Sequence, residues 1–472
     1  MKQNIILFVL IILFVLFLFT PAFLAAQSVH TDYFLQNSHT RSSQNPAFLP
    51  KQGYIGIPIL SNVGVGVHTN ALYLNNLVFN KNGESVTFLH PTVSSSEFLS
   101  NIPGNSFASA DVNIKLLSAG FFDKNDGFWS VDLGVRTLAE ANIPKPLFEL
   151  LKIGFSADPN QAIRYSIDNL RFSTTEYAEI GVGHTRSILD GNLLVGAKAK
   201  ILFGLANLDL NVNKLELTTQ NNVWTSRSHA TLSGSMKGIR PVYDEEGLFD
   251  SVESDGIGLS GYGLGLDLGA VYKLLDNKAR VSLAVTDLGF ISWGGGNSIN
   301  LTTPDVQTTV TPGDYTFGSD DSSLADNFES SVDDIMEAIN FKESGKKQGR
   351  STMLRTNVNV GLEYEVWADN LSVGLLSSTY FAHHIDTEFT LSANYNPVDI
   401  QWLSAALSYS FIYNKFNTVG LALHLAPKKG LHFFIASDYL IPRVSKEFLP
   451  TNSKAANIQF GLSVPIGRIV SN

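Results

Sequence analysis

Cysteine is absent from the chain, which removes disulfides, thiolate metal sites, cysteine nucleophiles and cysteine-linked lipid anchors together. Charge is also scarce: Asp, Glu, Lys and Arg make up 16% of the 472 residues, against about 25% in ordinary soluble domains. A chain so low in charge and 44% hydrophobic does not fit disorder, which requires high charge and little apolar surface. A bundle of membrane helices is excluded as well. The mean hydropathy is only +0.08, and beyond residue 27 no unbroken apolar stretch approaches the ~20 residues of a spanning helix. The formal charge of −10 opposes binding to duplex nucleic acid, whose phosphates such a field repels. What is plentiful is Phe, Tyr and Gly, at 31, 15 and 38 residues, a composition suited to a membrane-spanning β-barrel.

Residues 1–27 combine Lys2, an apolar run from Ile5 to Phe19, the pair Thr20-Pro21 and the small pair Ala25-Ala26. This is the pattern of a secretory signal peptide, residues 1–26, cleaved close to Ala26. The competing reading is an uncleaved membrane anchor, because the apolar run is long. An exported chain without a later helical span is either soluble beyond the inner membrane or inserted in the outer membrane as a barrel.

Segment length separates these two outcomes, since soluble strands average ~5–6 residues and tilted membrane strands need ~9–11. From Gly261 to Tyr272 the sequence puts Tyr262, Leu264, Leu266, Leu268, Ala270 and Tyr272 on one face and small or polar residues on the other. An apolar band with an aromatic at each end, backed by a polar face, is what a barrel strand between lipid and lumen requires. Comparable runs at 62–73, 107–121, 128–138, 175–186, 192–203, 279–290, 353–367, 370–381, 387–396, 402–413, 416–425, 430–440 and 456–467 bring the expected count to fourteen. Compact turns such as Asp123–Gly127, Leu189–Gly191, Asp276–Lys278 and Pro427–Gly430 fall at every second connection. Longer connections, 74–106, 139–174, 204–260, 291–352 and 441–455, fill most of the alternate positions, with 382–386 and 414–415 as short exceptions, as in barrels with short turns on one side and long loops on the other. The segment 204–235 decides the number. Its second arm, NVWTSRSHATLSGS, is polar on both faces, so it reads as a hairpin outside the membrane; if it spans, the count is sixteen. Helical spacing at Pro144–Ile153 and Leu324–Phe341 predicts short helices in the external loops.

The segment SQNPAFLPKQGYIGIPILSN, Ser43–Asn62, resembles the N-terminal region of FadL-type fatty-acid transporters and their PorV-like relatives. There an Asn-Pro-Ala motif opens the hatch that plugs the barrel. With VTDLGFISWGGGN at Val285–Asn297 and the helical insertion at 144–153, it also looks like an outer-membrane family of Bacteroidota. The resemblance implies a single barrel domain, 62–472, behind an N-terminal hatch, 27–61, with Asn45, Pro46, Ala47 and Phe48 as hatch residues. It implies a cell outer membrane location and either of two functions. In the transporter branch, small hydrophobic molecules are taken up through a lateral opening. In the PorV-like branch, a non-transporting scaffold serves a secretion or surface-attachment complex. The expected partners are accordingly outer-membrane lipid, a small hydrophobic solute, or another outer-membrane or secreted protein, with no nucleic acid. This chain closes on VPIGRIVSN, where the transporter branch has an aromatic residue.

Signals for other chemistry are weaker than their structural alternatives. Gly256-Ile-Gly258-Leu-Ser-Gly261 satisfies GxGxxG, but it leads into an alternating strand where a phosphate cradle needs a helix. His383, His384, Asp386 and Glu388 offer metal-ligand atoms without the spacing of a site, and read as a solvated strand end. The acidic stretch Asp244–Asp255 lacks the ligand order of a Ca²⁺ loop and reads as an external loop. Glu363 and Glu365, two apart on one face, read as charged lumen lining and not as a catalytic dyad. No nucleophile elbow has supporting context, so no enzyme activity, catalytic residue, cofactor or metal is expected.

Overall fold

In the computed structural model the chain closes into a fourteen-stranded antiparallel barrel with few helices. The structure describes residues 29–469 apart from 37, 73, 154–161, 221–222, 305–306, 311–338, 346–347, 369, 382–384, 401, 413–414, 428–429 and 441–454. The expected signal peptide, His383, His384 and most of the helix expected at 324–341 therefore lie outside the described residues.

The wall strands are β1 (Gln52–Gly56 and Asn62–Thr69), β2 (Asn105–Phe122), β3 (Phe128–Pro144), β4 (Ile163–Ile188) and β5 (Leu193–Gln220). They continue with β6 (Gly261–Leu274), β7 (Ala279–Trp293), β8 (Thr356–Trp367), β9 (Leu371–Phe381) and β10 (Ile385–Tyr395). The last four are β11 (Leu403–Ile412), β12 (Lys415–Leu425), β13 (His432–Ser437) and β14 (Ala455–Ile469). Closure is made by β1, which pairs with β14 on one side and β2 on the other. The alternation in β6 works as its sequence demands: Tyr262, Leu264, Leu266 and Leu268 face outward, while Gly263, Gly265 and Asp267 face the lumen. In water that outward face would be a large apolar patch; in a bilayer it is the lipid contact. No helix among the described residues is long and apolar enough to cross a membrane.

Two expectations about the wall are corrected. The wall starts at Gln52 and not at Asn62, because Gln52–Gly56 pairs with β14 before the strand breaks at Ile57–Ser61 and resumes. The connection at 139–174 is largely strand, and so is 236–260, beyond the hairpin expected at 204–235. β4 and β5 run 26 and 28 residues, far longer than the ~9–11 that a bilayer crossing needs. The hairpin expected at 204–235 is found outside the wall: β6 pairs with β5 up to Gly204, after which Ala206–Gln220 pairs with Val223–Met236. This is why the count is fourteen. Beyond the wall, Phe98, Val212, Leu215, Leu217, Leu301 and Phe341 form an apolar core on which the helix Lys145–Ile153 sets Phe148 and Leu150. The expected helix at 144–153 is thus present and caps the long-loop end.

Candidate functional site in the barrel lumen

Residues 29–51 lie inside the wall, and their backbone hydrogen bonds run mainly to one another: Tyr33 to His30, Leu35 to Asp32, Gln44 to Arg41 and Phe48 to Asn45. Among the described residues no backbone ladder joins this inner segment to a strand. Asn45-Pro46-Ala47-Phe48 forms one tight turn. Phe48 N donates to Asn45 O at 3.0 Å, Ala47 N donates to the Asn45 side-chain oxygen at 2.9 Å, and Pro46 supplies the fixed φ that the second turn position favours.

The wall receives this turn in slots left by missing side chains. A Cβ on Gly196 would run into the Pro46 carbonyl, and one on Gly269 into the Asn45 side-chain oxygen. Thr185 Oγ1 donates to Pro46 O at 2.5 Å. Phe48 packs against Leu194 and Val271, edge-on to Tyr33 at 5.0 Å and under the Arg41 guanidinium at 3.9 Å. On β9, Gly374 makes room for Phe34 in the same way.

A second attachment lies at the start of the segment. The Asp438 carboxylate, fully buried, accepts from His30 N at 2.9 Å, Thr31 N at 2.9 Å, Thr31 Oγ1 at 2.6 Å and Asn457 Nδ2 at 2.9 Å. His30 Nε2 lies 2.8 Å from the Tyr380 hydroxyl, and its Nδ1 lies 3.5 Å from Glu388. Charge-assisted bonds of this kind contribute about 1.5–3 kcal/mol each.

Asp32 stands behind this contact. Burial pushes its carboxyl up to about 7, the nearby Asp438 adds to the rise, and hydrogen bonds from Gln44 and Thr40 oppose it. An unfolded Asp titrates near ~3.9, so the docked segment binds the proton more tightly than the free one. Its contribution to docking is complete below that value and is lost as pH rises through about 7. Protease protection of the segment is expected to fall between pH 5 and pH 8 (assay conditions bracketing that value), and Asp32→Asn to flatten the dependence; an equal fall in the variant would assign it elsewhere.

Beside the inner segment, on the wall from β2 to β7, runs a buried chain of ion pairs. Asp132 binds Lys115 at 3.2 Å and Lys198 at 2.5 Å. Lys200 binds Asp267 at 2.8 Å and Asp287 at 2.6 Å, and Arg136 binds Asp287 at 2.6 Å. Asp287 sits at φ +57°, with its N–H donating to Asp267 Oδ1 at 2.8 Å. Asp tolerates that left-handed backbone better than most residues. A cavity of about 110 Å³ opens between this chain and Ser43 and Gln44 of the inner segment.

Of the residues singled out in the sequence, Asn45, Pro46, Ala47 and Phe48 come together as the turn seated on Gly196 and Gly269. Glu363 is buried lumen lining, held by Ser372 at 2.7 Å and Gln36 at 3.1 Å. Glu388 faces His30 inside the lumen and is not part of a solvated strand end. Asp255 pairs with Arg240, and Asp244 caps its own turn through Glu246 N and Leu248 N. Gly261 of the GxGxxG string opens β6, a strand. The ion-pair chain was missed; the available signal was charge recurring at lumen parity, as in Lys198 and Lys200.

The chain matches no curated protein in sequence. Among solved structures it is similar to the toluene transporter TodX of P. putida, at 9% identity and a TM-score of 0.38, covering 91% of this chain and 95% of that one. A TodX deltaS2S3 mutant, described as a monoaromatic hydrocarbon channel, aligns at 9% identity and a TM-score of 0.42 over the same shares, 91% and 95%. The copper transporter OprC aligns at 8% identity and a TM-score of 0.20, covering 88% of this chain and 81% of that one. A family model matches residues 46–438, most of the chain, and the protein belongs to that family, DUF5723, a family of unknown function.

Proposed function

We propose that the protein is an outer-membrane channel closed by a removable hatch, residues 29–51, which takes up small hydrophobic molecules and releases them sideways into lipid. The observation that carries this reading is the manner of attachment. The hatch is seated by side-chain contacts and glycine slots, with no strand ladder to the wall among the described residues, so it can leave without breaking the barrel. The lateral exit in this reading is the irregular stretch Ile57–Ser61 of β1, which exposes Ile59 and Leu60 on the outer face and is held by single backbone bonds, Ile57 N to Leu462 O, Leu462 N to Leu60 O and Ile59 N to Leu116 O, that would have to open. The hatch reaches this stretch: the His39 ring lies 4.1 Å from that of Tyr54, just before it. Apolar cargo suits the exit because about 25 cal/mol per Å² of apolar surface favours its transfer from water.

A scaffold role is the second reading, and the apolar cap built on the β4, β5 and Val223–Tyr243 extensions favours it. Uptake of decanoate into proteoliposomes distinguishes the two. The channel reading expects uptake that stops when the hatch is tethered to the wall; no uptake above empty vesicles, with or without the tether, supports the scaffold.

A further inference from the structure

A second cavity, of about 120 Å³, lies where the hatch meets the wall beside the turn Asp276–Lys278. Arg41 and Lys51 of the hatch and Lys273 and Arg280 of the wall put four cations on its lining, against one carboxylate, Glu363. That carboxylate is already engaged, by Arg280 at 3.3 Å, Ser372 at 2.7 Å and Gln36 at 3.1 Å. Asp32, the other acid whose field reaches Arg41, is held by Gln44 and Thr40 and is not part of the lining.

Two of the cations point to a ligand. Arg41 is 5% exposed, and its Nε donates to Tyr33 O at 2.7 Å. Its two terminal nitrogens have no acceptor among the described residues, yet neither is sealed off, so they open onto the cavity. Lys273 shares the lumen face of β6 with Val271. Its ammonium likewise has neither acceptor nor carboxylate among the described residues and is not sealed off. Much of the remaining lining is apolar, from Phe34, Phe48, Leu49, Leu194 and Val271, and supplies no counter-charge.

We infer that this cavity is a binding site for a phosphate or phosphomonoester group, held by Arg41 from the hatch and Lys273 from the wall, with Lys51 adding to the field. Such a group carries about −1.5 to −2 charges near neutral pH and three acceptor oxygens, which suits an excess of cations better than a singly charged carboxylate does. Because its holders come from both sides of the junction, the bound group ties the hatch to the wall. The site does not require that anything pass through the barrel, and it stands whether the protein is a channel or a scaffold.

The test uses the full barrel purified in mild detergent at fixed ionic strength, with inorganic phosphate, butyl phosphate and butyrate as probes and titration calorimetry as readout. Saturable binding of a phosphate is expected, with butyrate at least about tenfold weaker. Tighter binding of inorganic phosphate assigns the site to the free ion, and tighter binding of butyl phosphate to the head of an amphiphile. Lys273→Gln is expected to weaken binding by about tenfold or more, while Lys124→Gln, in an exposed turn at the same end, leaves it unchanged. The tighter phosphate, at ten times its dissociation constant, is expected to slow cleavage within residues 29–51 about tenfold. Heat-modifiable migration establishes that each variant is a folded barrel; should Lys273→Gln fail that check, Arg41→Gln takes its place with the same expected loss. Absence of saturable binding of both phosphates by the parent protein would overturn the site. So would equal binding of butyrate, undiminished affinity in the folded variant, or cleavage that the phosphate leaves unchanged.

Discussion

Replacing Asp438 by Ala releases the start of the inner segment and raises its rate of proteolysis by at least about a hundredfold. The variant removes the acceptor of four hydrogen bonds at once, from His30 N, Thr31 N, Thr31 Oγ1 and Asn457 Nδ2. It leaves those donors buried among Tyr380, Ser408 and Glu388 without that partner. Breaking a buried charged network on one side costs roughly 3–5 kcal/mol, and most of this loss falls on docking, because three of the four bonds come from His30 and Thr31 and no strand ladder among the described residues retains the segment. The wall itself should survive, since Asp438 follows β13 and is not a rung of the ladder. Heat-modifiable migration together with fast cleavage within residues 29–51 is the expected result. Unchanged protection would show that the hold on the segment lies elsewhere, at the Asn45–Phe48 turn.

That turn gives the second large effect. Gly196→Val places branched carbon where the Pro46 carbonyl and the Ala47 N–H now lie. The obstruction is backbone, so it cannot be relieved by a rotamer change. Overpacking of this kind costs about 1–3 kcal/mol, enough to shift the docked population about five- to hundredfold. Decanoate uptake is expected to rise accordingly. Gly265→Ala is the matched control in the wall: its Cβ would meet Lys200 Cβ at 3.4 Å and Leu354 Cδ1 at 3.5 Å, ordinary contacts, and uptake should stay at the parent level. Equal behaviour of the two variants would contradict the slot description.

The parts of this architecture that were legible in the sequence are those where one residue in two is forced by its surroundings. Tyr262 to Tyr272 could be read because lipid on one side and lumen on the other impose a period of two along the whole span. The first wall segment, Gln52–Gly56, was not, because it is five residues long and followed at once by Pro58 in the break. β4 and β5 were read short for a different reason: their outer portions pair with one another and with Val223–Tyr243 under the cap, where no uniform apolar exterior imposes alternation. The Asn45–Phe48 turn was found through a short resemblance, while the glycines that receive it, Gly196 and Gly269, are more than 140 residues away in sequence. Nothing local marks one wall glycine as a slot and another as ordinary.

The ion-pair chain shows the same limit more clearly. Lys198 and Lys200 stand two apart in GAKAKILF, which predicts that both face the lumen. Their partners cannot be assigned without register, since Asp132 comes from β3 and Asp287 from β7. The register is also shifted by irregularities at Lys115/Leu117 and at Leu266/Leu268; in the second the extra residue lies on β7, where Thr286 and Asp287 are both buried, and it brings Asp287 to Lys200 and its N–H to Asp267. Asp287 lies within the phrase Val285–Asn297 that resembled a known family, and its position at the centre of the chain gives that phrase a physical meaning.

The central claim is that residues 29–51 form a detachable hatch, and the absence of native cysteine makes it directly testable. Thr31→Cys with Ser408→Cys, at positions whose hydroxyl oxygens lie 2.6 Å apart across segment and wall, ties the segment to β11 in oxidising buffer and frees it on reduction. The measurement is decanoate uptake by proteoliposomes holding this double variant, before and after dithiothreitol. A hatch-gated channel should show uptake at the level of empty vesicles while tethered, rising at least about tenfold on reduction. Uptake that is the same in both states, with the cross-link verified by mass spectrometry, would contradict the account.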